Sequence, residues 1–457
     1  MRSTRRTLWA IIVITLLLGA AVATRAIGQW PPAAAQSGPR QPTTPVATAI
    51  LPPVNLPLLS ALADLQPPNA TAVPTSAAAS VTPPPSLTPT PGPTVPHTPG
   101  VPACDETRGD AGGFRFSRDG GVTLAPNATR LPNLAYTWDL DVDPRDPDVI
   151  LELHEHTLFR SADAGCTFAV LATFERSWTE LTRAPSDPMV LVLTSFLGSG
   201  DAGSLLWSAD AGVTWQAEPL PEDALAFAIA PNDPWQWAFV GRTPALYLRT
   251  GRDTRWEARP ITGLPGGSAS ITSAASAPSQ WGRWLVGSMV DGLHRTDDNG
   301  TTWQPASVGL GGMVGEPPEP VTAQVVAWVA IAPSDADVAY IVVNRVGRDQ
   351  SQRAIYRSGD GAATWQPRVV DGQPVGDRKA DLTGGTRVFV SPDDPDTVLF
   401  PFGLSFGGYG TDLFRSRDGL AKLDVSHFDG FYEVMALGFG PTGTELRYLG
   451  TSSDIPR

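Results

Sequence analysis

Downstream of residue 112 the chain consists of short apolar and aromatic runs separated by polar turns rich in Pro, Asp and Gly. Runs such as TLFR, SLLW, LYLR, GLHR, AIYR and DLFR end in Arg or Trp, and all but LYLR lead into a turn that opens on Ser or Thr. Runs of this length and composition predict β-strands, and the clusters between them predict tight connections. Two kinds of turn alternate. One reads SRDGGVTL at Ser117, SADAGCTF at Ser161, SADAGVTW at Ser208, TDDNGTTW at Thr296, SGDGAATW at Ser358 and SRDGLAKL at Ser416, with a degraded copy, RTGRDTRW, at Arg249. The other is a Pro/Asp turn between two β-rich runs, centred on Pro144, Pro185, Pro231, Pro278, Pro333, Pro392 and Pro441.

Together the two turns define one unit: strand A, Pro turn, strand B, strand C, Ser/Asp turn, strand D. Four short strands repeated seven times predict an all-β fold, a seven-bladed β-propeller of four-stranded blades. The first Ser/Asp turn precedes the first Pro turn, and the last Pro turn has no partner after it. The strands around Ser117 therefore complete the blade begun near residue 431. This two-plus-two closure joins the chain ends and removes open sheet edges.

The Ser/Asp turn has a physical logic. Ser and Asp accept backbone N–H bonds inside the turn, Gly tolerates positive φ, and the closing aromatic packs under the next strand. Ser117, Asp119, Ser161, Asp163, Ser208, Asp210, Asp298, Asp360 and Asp418 are therefore read as structural, as are Trp215, Trp303 and Trp365.

Composition changes the picture only before this body. Of 46 prolines, 20 fall between Pro31 and Pro102, in a stretch whose charged residues are Arg40 and Asp64 alone. Such a Pro/Thr/Ala/Ser-rich segment cannot bury enough apolar surface to offset chain entropy, so residues 30–103 are read as a disordered linker. Where extended, at ~3.1 Å per residue, it spans up to roughly 200 Å. Residues 1–29 carry four arginines, no acid and a 16-residue apolar run at positions 8–23. That length fits either a cleaved signal peptide, with Ala21-Val22-Ala23 as its cleavage site, or a retained membrane anchor. Both make the body, residues 104–457, extracytoplasmic, and both confine membrane contact to the N-terminal segment. Cys104 and Cys166 are the chain's two cysteines; an exported compartment permits them to pair, and their pairing stays open at this stage.

The body carries 28 Lys and Arg against 45 Asp and Glu, which argues against nucleic acid as a partner. Repeat spacings of 41, 46, 47, 55, 59 and 49 residues place the extra length in the later blades. The insertions are residues 304–324, 343–353, 366–385 and 402–411, and blade topology puts all four on the face of the D–A crossovers and B–C hairpins. Long loops on a regular scaffold carry function. Residues 343–387 also hold eight bases against five acids, so Arg345, Arg348, Asp377, Arg378, Lys379 and Arg387 form the candidate binding set for an anionic group on a protein or glycan. Asp139, Asp141, Glu180 and Glu433 lie on or near inner strands facing the central channel, where acids need no catalytic role. His154-Glu155-His156 sets two imidazoles at i and i+2; without an identifiable third ligand it is read as hairpin surface, and no metal or cofactor is assigned.

The S-x-D-x-G-x-T-W pattern resembles the Asp-box, or bacterial neuraminidase repeat. The longer unit is similar to repeats of xyloglucan-cleaving glycoside hydrolases, sortilin-type receptor ectodomains and the photosystem II assembly factor family. Seven blades behind an export signal look most like the last, whose members are non-catalytic scaffolds for partner proteins. Sialidases share the box but are six-bladed; their F/Y-R-I-P motif is absent here, and the adjacent Tyr432 and Glu433 do not imitate their Tyr–Glu pair. The resemblance favours a tethered, non-catalytic binding or assembly scaffold with no assigned catalytic residue. The alternative is a glycoside hydrolase using acids of the insertion face such as Asp371, Asp377 and Asp381.

Overall fold

The computed structural model describes residues 98–104, 113–127, 131, 137–195, 203–264, 271–290, 292–403, 410–429 and 433–451. The expected signal or anchor and nearly all of the expected linker lie outside these residues. Seven four-stranded antiparallel sheets form the blades of a propeller. Blade 1 runs through Thr137–Val142, Ile150–His154, Thr157–Ser161 and Ala169–Thr173 in that spatial order. Blades 2 to 6 repeat it, starting at Glu180–Arg183, Ala224–Ile229, Ile271–Ser276, Ala323–Ile331 and Phe389–Val390. Blade 7 is composite: Val434–Phe439 and Arg447–Thr451 from the end of the chain pair with Phe114–Ser117 and Ala125–Pro126 from its start. Phe116 stands opposite Tyr448 in the register that closes the ring.

The second strand of blades 1 to 4 is buried along its whole length on both faces, because each blade is covered by two neighbours, while the outer strands of blades 2 and 3 stay largely exposed. The core accordingly divides into seven clusters, one between each pair of adjacent blades. The blade 7–blade 1 cluster packs Phe114, Phe116 and Tyr448 against Ile150, Phe159 and Phe168.

The Ser/Asp turns behave alike in six blades. In the first, Ser117 Oγ donates to Asp119 Oδ1 at 2.7 Å and accepts from Gly121 N at 2.7 Å. The Thr123 amide and hydroxyl donate to the two Asp119 oxygens at 2.9 and 2.6 Å. Ser161, Ser208, Thr296, Ser358 and Ser416 repeat the Ser/Thr–Asp contact with Asp163, Asp210, Asp298, Asp360 and Asp418 at 2.7–2.9 Å. Two successive residues take positive φ in each turn; in blades 5 and 6 the second is Ala362 or Leu420 rather than Gly. Trp365 is buried, and its indole N–H donates to Ala306 O at 2.7 Å. Trp215 and Trp303 are only half-buried, packed against the blade 1–2 and blade 3–4 clusters.

The degraded turn of blade 3 solves the same problem differently. Arg249 occupies the Ser position and is 2% exposed. Its Nη1 donates to both Glu218 oxygens, at 2.5 and 2.6 Å, and its guanidinium lies 3.7 Å from the Trp237 ring centroid. A paired, stacked arginine thus ties blade 3 to blade 2 in place of the turn's own hydrogen bonds.

Residues 98–104 lie across the closing seam: Gly100 N donates to Asp148 Oδ1 at 2.6 Å, and Tyr448 Oη donates to Gly100 O at 2.8 Å. Cys104 and Cys166 are joined by a disulfide that fixes this strap to the Ser/Asp turn of blade 1. Among the described residues no helix is long and apolar enough to cross a membrane.

Candidate functional site

Blade geometry sends the D–A crossovers and B–C hairpins to one face, and the insertions stand there. Blade 5 has strands of nine, eight and eight residues, Ala323–Ile331, Ala339–Val346 and Ser351–Ser358. At ~3.3 Å per residue the extra length lifts its central hairpin roughly 10 Å beyond shorter neighbours. The tip is braced from below: Asp349 N and Gln350 N donate to Glu319 Oε1 at 2.9 and 2.7 Å. A second insertion forms a small hairpin, Gln373–Val375 with Arg378–Ala380.

The six candidate residues separate into three places. Arg345 hydrogen-bonds Gln352 and faces the Tyr356 ring at 5.8 Å, while Arg348 is exposed at the blade 5 tip. Asp377 and Lys379 are exposed on the small hairpin, and Arg378 turns inward to lie 3.7 Å from buried Asp412. Asp412 also meets His427 Nδ1 at 2.6 Å, and the other ring nitrogen meets Asp429 at 2.9 Å. Nothing in the linear sequence signalled this Arg378–Asp412–His427 cluster, because blade 6 strand pairing sets Asp412 opposite His427 and the separate small hairpin brings Arg378 to them. Arg387 is elsewhere, inside the central channel.

The mouth of that channel, on the insertion face, encloses about 690 Å³. Its polar groups come from the starts of inner strands: Asp139 from blade 1, Glu180 from blade 2, Arg387 just before blade 6 and Glu433 just before blade 7. Trp138, Trp328, Phe227 and Phe402 supply aromatic wall. Water reaches the carboxylates, yet protein surrounds them on every side, so desolvation dominates their behaviour. Burial pushes Asp139 up to about 6 against the hydrogen bonds it accepts from Leu181 N and Leu140 N. Burial likewise pushes Glu180 up to about 7, against a 2.8 Å bond from Thr194 Oγ1 and with Asp139 adding to the rise. Glu433 is raised by burial and held back by Arg387. Arg387 is lowered by burial and supported by Asp139, Glu433 and Glu180. Its Nη1 donates to Met435 O at 2.7 Å, and its guanidinium lies 5.5 Å from the Trp328 centroid. Three acids thus share one base in a cavity that favours cations or neutral carboxyls over anions.

Two other sequence candidates resolve as structure. Asp141 pairs with Arg183 at 2.5 Å toward the opposite end of the channel. His154 ends its strand fully buried, 3.6 Å from Glu152, while Glu155 turns the hairpin at φ 51° and His156 is exposed. The hairpin-surface reading therefore holds for His156 and is corrected for His154, whose imidazole lies in the core and shares no strand face with His156. Among the described residues no group of His, Cys, Asp and Glu is arranged to hold a metal.

The acids of the alternative hydrolase reading sit outside the channel. Asp371 and Asp377 are exposed, and Asp381 is half-buried. Asp371 Oδ1 accepts from Leu382 N at 2.7 Å, closing the small hairpin. Burial raises Asp381, with Asp371 contributing to the rise.

Comparison with known proteins adds a relative. No family model matches the chain. Among solved structures, a GH74 enzyme of Niastella koreensis superposes with a TM-score of 0.52 at 13% identity, over 71% of this chain and 52% of its own. A YCF48 protein bound to D1 peptide is similar at TM-score 0.45 and 15% identity, over 77% of this chain and 99% of its own. This chain spans about half the length of the GH74 enzyme, and at such identity the likeness speaks to the fold alone. The dispase autolysis-inducing protein of Streptomyces mobaraensis is 30% identical over 402 residues, covering 77% of this chain and 89% of that protein. A match of that identity and extent places the chain in the dispase autolysis-inducing protein family.

Proposed function

We propose that the protein is a non-catalytic binding propeller that acts outside the cytoplasm, engages a protease through its insertion-bearing face, and promotes that protease's self-digestion. The observation that carries this reading is the match, over 89% of its length, to a relative named for inducing the autolysis of dispase. The insertion face supports it with a raised blade 5 hairpin and exposed cations, Arg348 and Lys379, suited to steering an acidic partner surface. The Cys104–Cys166 disulfide fits an oxidising compartment. The basic and apolar character of residues 1–29 supports export, with the body secreted or held at the membrane through residues 30–103.

Binding promotes self-digestion if the propeller prefers an opened conformer of the protease, because a ligand shifts a population by its differential affinity for the two states. A second protease molecule then cuts the exposed loop. The test mixes the purified full chain with dispase and follows loss of intact protease by mass spectrometry. A saturable acceleration supports the reading; an unchanged protease half-life at saturating chain overturns it. A second reading, glycoside hydrolysis, draws on the raised carboxyl groups Glu180 and Asp139 in one cavity, the environment a general acid needs. Release of sugar from xyloglucan or sialylated glycans, lost in Glu180→Gln, supports that reading instead.

A further inference from the structure

The channel has a chemistry of its own, independent of which protein docks on the face around it. Its mouth is wide enough for a side chain or a small linear molecule, at about 690 Å³. A side pocket of about 280 Å³ shares Thr272, Ala327, Thr383 and Gly384 with it and extends along blade 5 on the side that faces blade 6. The groups facing this space are mostly acceptors. Asp139 receives two backbone N–H bonds, and Glu180 receives one hydroxyl and the Phe227 backbone N–H, which leaves lone pairs on both. The Asn344 Oδ1 atom in the side pocket is buried without a hydrogen bond. Against these stand two donor-rich cations, Arg387 in the mouth and Arg353 in the side pocket.

Arg387 is also an internal example of what the site accepts. Its guanidinium lies near an indole ring, donates to a backbone carbonyl, and is supported by three carboxylates. Aromatic wall, carbonyl and carboxylate are the three elements by which proteins hold organic cations. Because three acids face one guanidinium, the channel carries excess negative charge whenever its acids are ionised, and a second cation relieves it.

We propose that the mouth of the central channel is a binding site for an organic cation bearing N–H donors, a primary ammonium or a guanidinium, seated among Asp139, Glu180 and Glu433 against the Trp328 wall. The cation is either the side chain of a docked polypeptide or a free polyamine. Occupancy is pH-dependent with a fixed sign. As pH falls through about 7 and then about 6, Glu180 and Asp139 take up protons and the attraction is lost.

The test titrates the full-length protein by calorimetry with Nα-acetyl-lysine methylamide, a lysine-containing tripeptide, spermidine and, as the anionic control, acetate. The expected result is binding of the amines at pH 8 and no binding of acetate. Affinity should fall at least about tenfold in Glu180→Gln/Glu433→Gln, the loss expected when charge-assisted hydrogen bonds are removed, and should also fall in the unsubstituted protein at pH 5. Glu433→Gln alone, at the channel rim, guards against a misfolded double variant and should weaken binding by a smaller factor. Tighter binding of the tripeptide than of spermidine identifies a polypeptide side chain as the source, and the reverse order a free polyamine. No binding of any amine, equal binding in the Gln variants, or preference for acetate overturns the site. Because no protease is present, failure here leaves the autolysis reading standing, and failure of the autolysis assay leaves this site standing.

Discussion

The aspartates of the Ser/Asp turns and the carboxylates of the channel mouth are the same chemistry put to opposite uses on opposite faces of one ring. In the turns, donors outnumber the loss of water. Asp360 is lowered by the Thr364 hydroxyl against modest burial, Asp298 by the Thr302 amide, and Asp418 by the Lys422 amide. For Asp119 and Asp210 burial pulls upward most strongly of any single influence, yet the combined turn donors still win. In the channel the balance reverses, because burial exceeds the bonds that Asp139 and Glu180 accept. A turn aspartate is satisfied within its own turn, by the hydroxyl two residues before it and by donors up to four residues after it. A channel carboxylate depends on residues contributed by other blades, and what they leave unmet is available to a ligand.

Five variants test this contrast, from the largest expected effect to the smallest. Trp365→Ala empties a buried indole between blades 4 and 5 and should cost about 3–5 kcal/mol of unfolding free energy. Trp303→Ala, at a half-buried ring, should cost less in the same denaturant titration; equal losses would mean the two box aromatics pack alike. Asp360→Ala strips the acceptor from the Thr364 amide and hydroxyl and should cost about 1–3 kcal/mol at neutral pH. A lowered carboxyl stabilises the fold above its unfolded value and loses that contribution as pH falls through the folded one. The penalty should therefore shrink below pH 4.

Glu180→Gln should do the reverse. A carboxyl raised from 4.5 to about 7 favours the fold most at low pH, and that contribution fades as pH rises toward and past 7. The variant should be more stable than the unsubstituted protein at pH 8, by on the order of 1–3 kcal/mol, and no more stable at pH 4. A uniform loss at both pH values would show that Glu180 is satisfied as fully as a turn aspartate. Arg348→Ala/Lys379→Ala, both exposed, should stay within about 0.5 kcal/mol in stability while slowing acceleration of protease autolysis at low salt.

The contrast also explains what could be read in advance. Blade number, closure and the role of Ser117, Asp163 or Asp418 were legible because each turn is a local device, complete within eight residues. The channel was not, since Asp139, Glu180, Arg387 and Glu433 come from four blades and meet only when the ring closes. The inner-strand position of the acids indicated that they face the channel. Arg387 carried no such mark, and its sequence neighbours grouped it with the loop cations. Arg249 was visible only as a defect in the repeat, because its partner Glu218 lies 31 residues away in blade 2.

The strap at residues 98–104 has a mechanical consequence. It meets the ring on the face of the Pro and Ser/Asp turns, through Asp148, Tyr448 and the bond to Cys166. Tension applied to the chain upstream of Thr98 is therefore borne by a covalent link into blade 1 before it reaches Phe114–Ser117. Without that link, the same pull would act first on the short outer strands of blade 7 and peel the ring open at its seam. The strap thus takes such a pull on the face opposite the insertions.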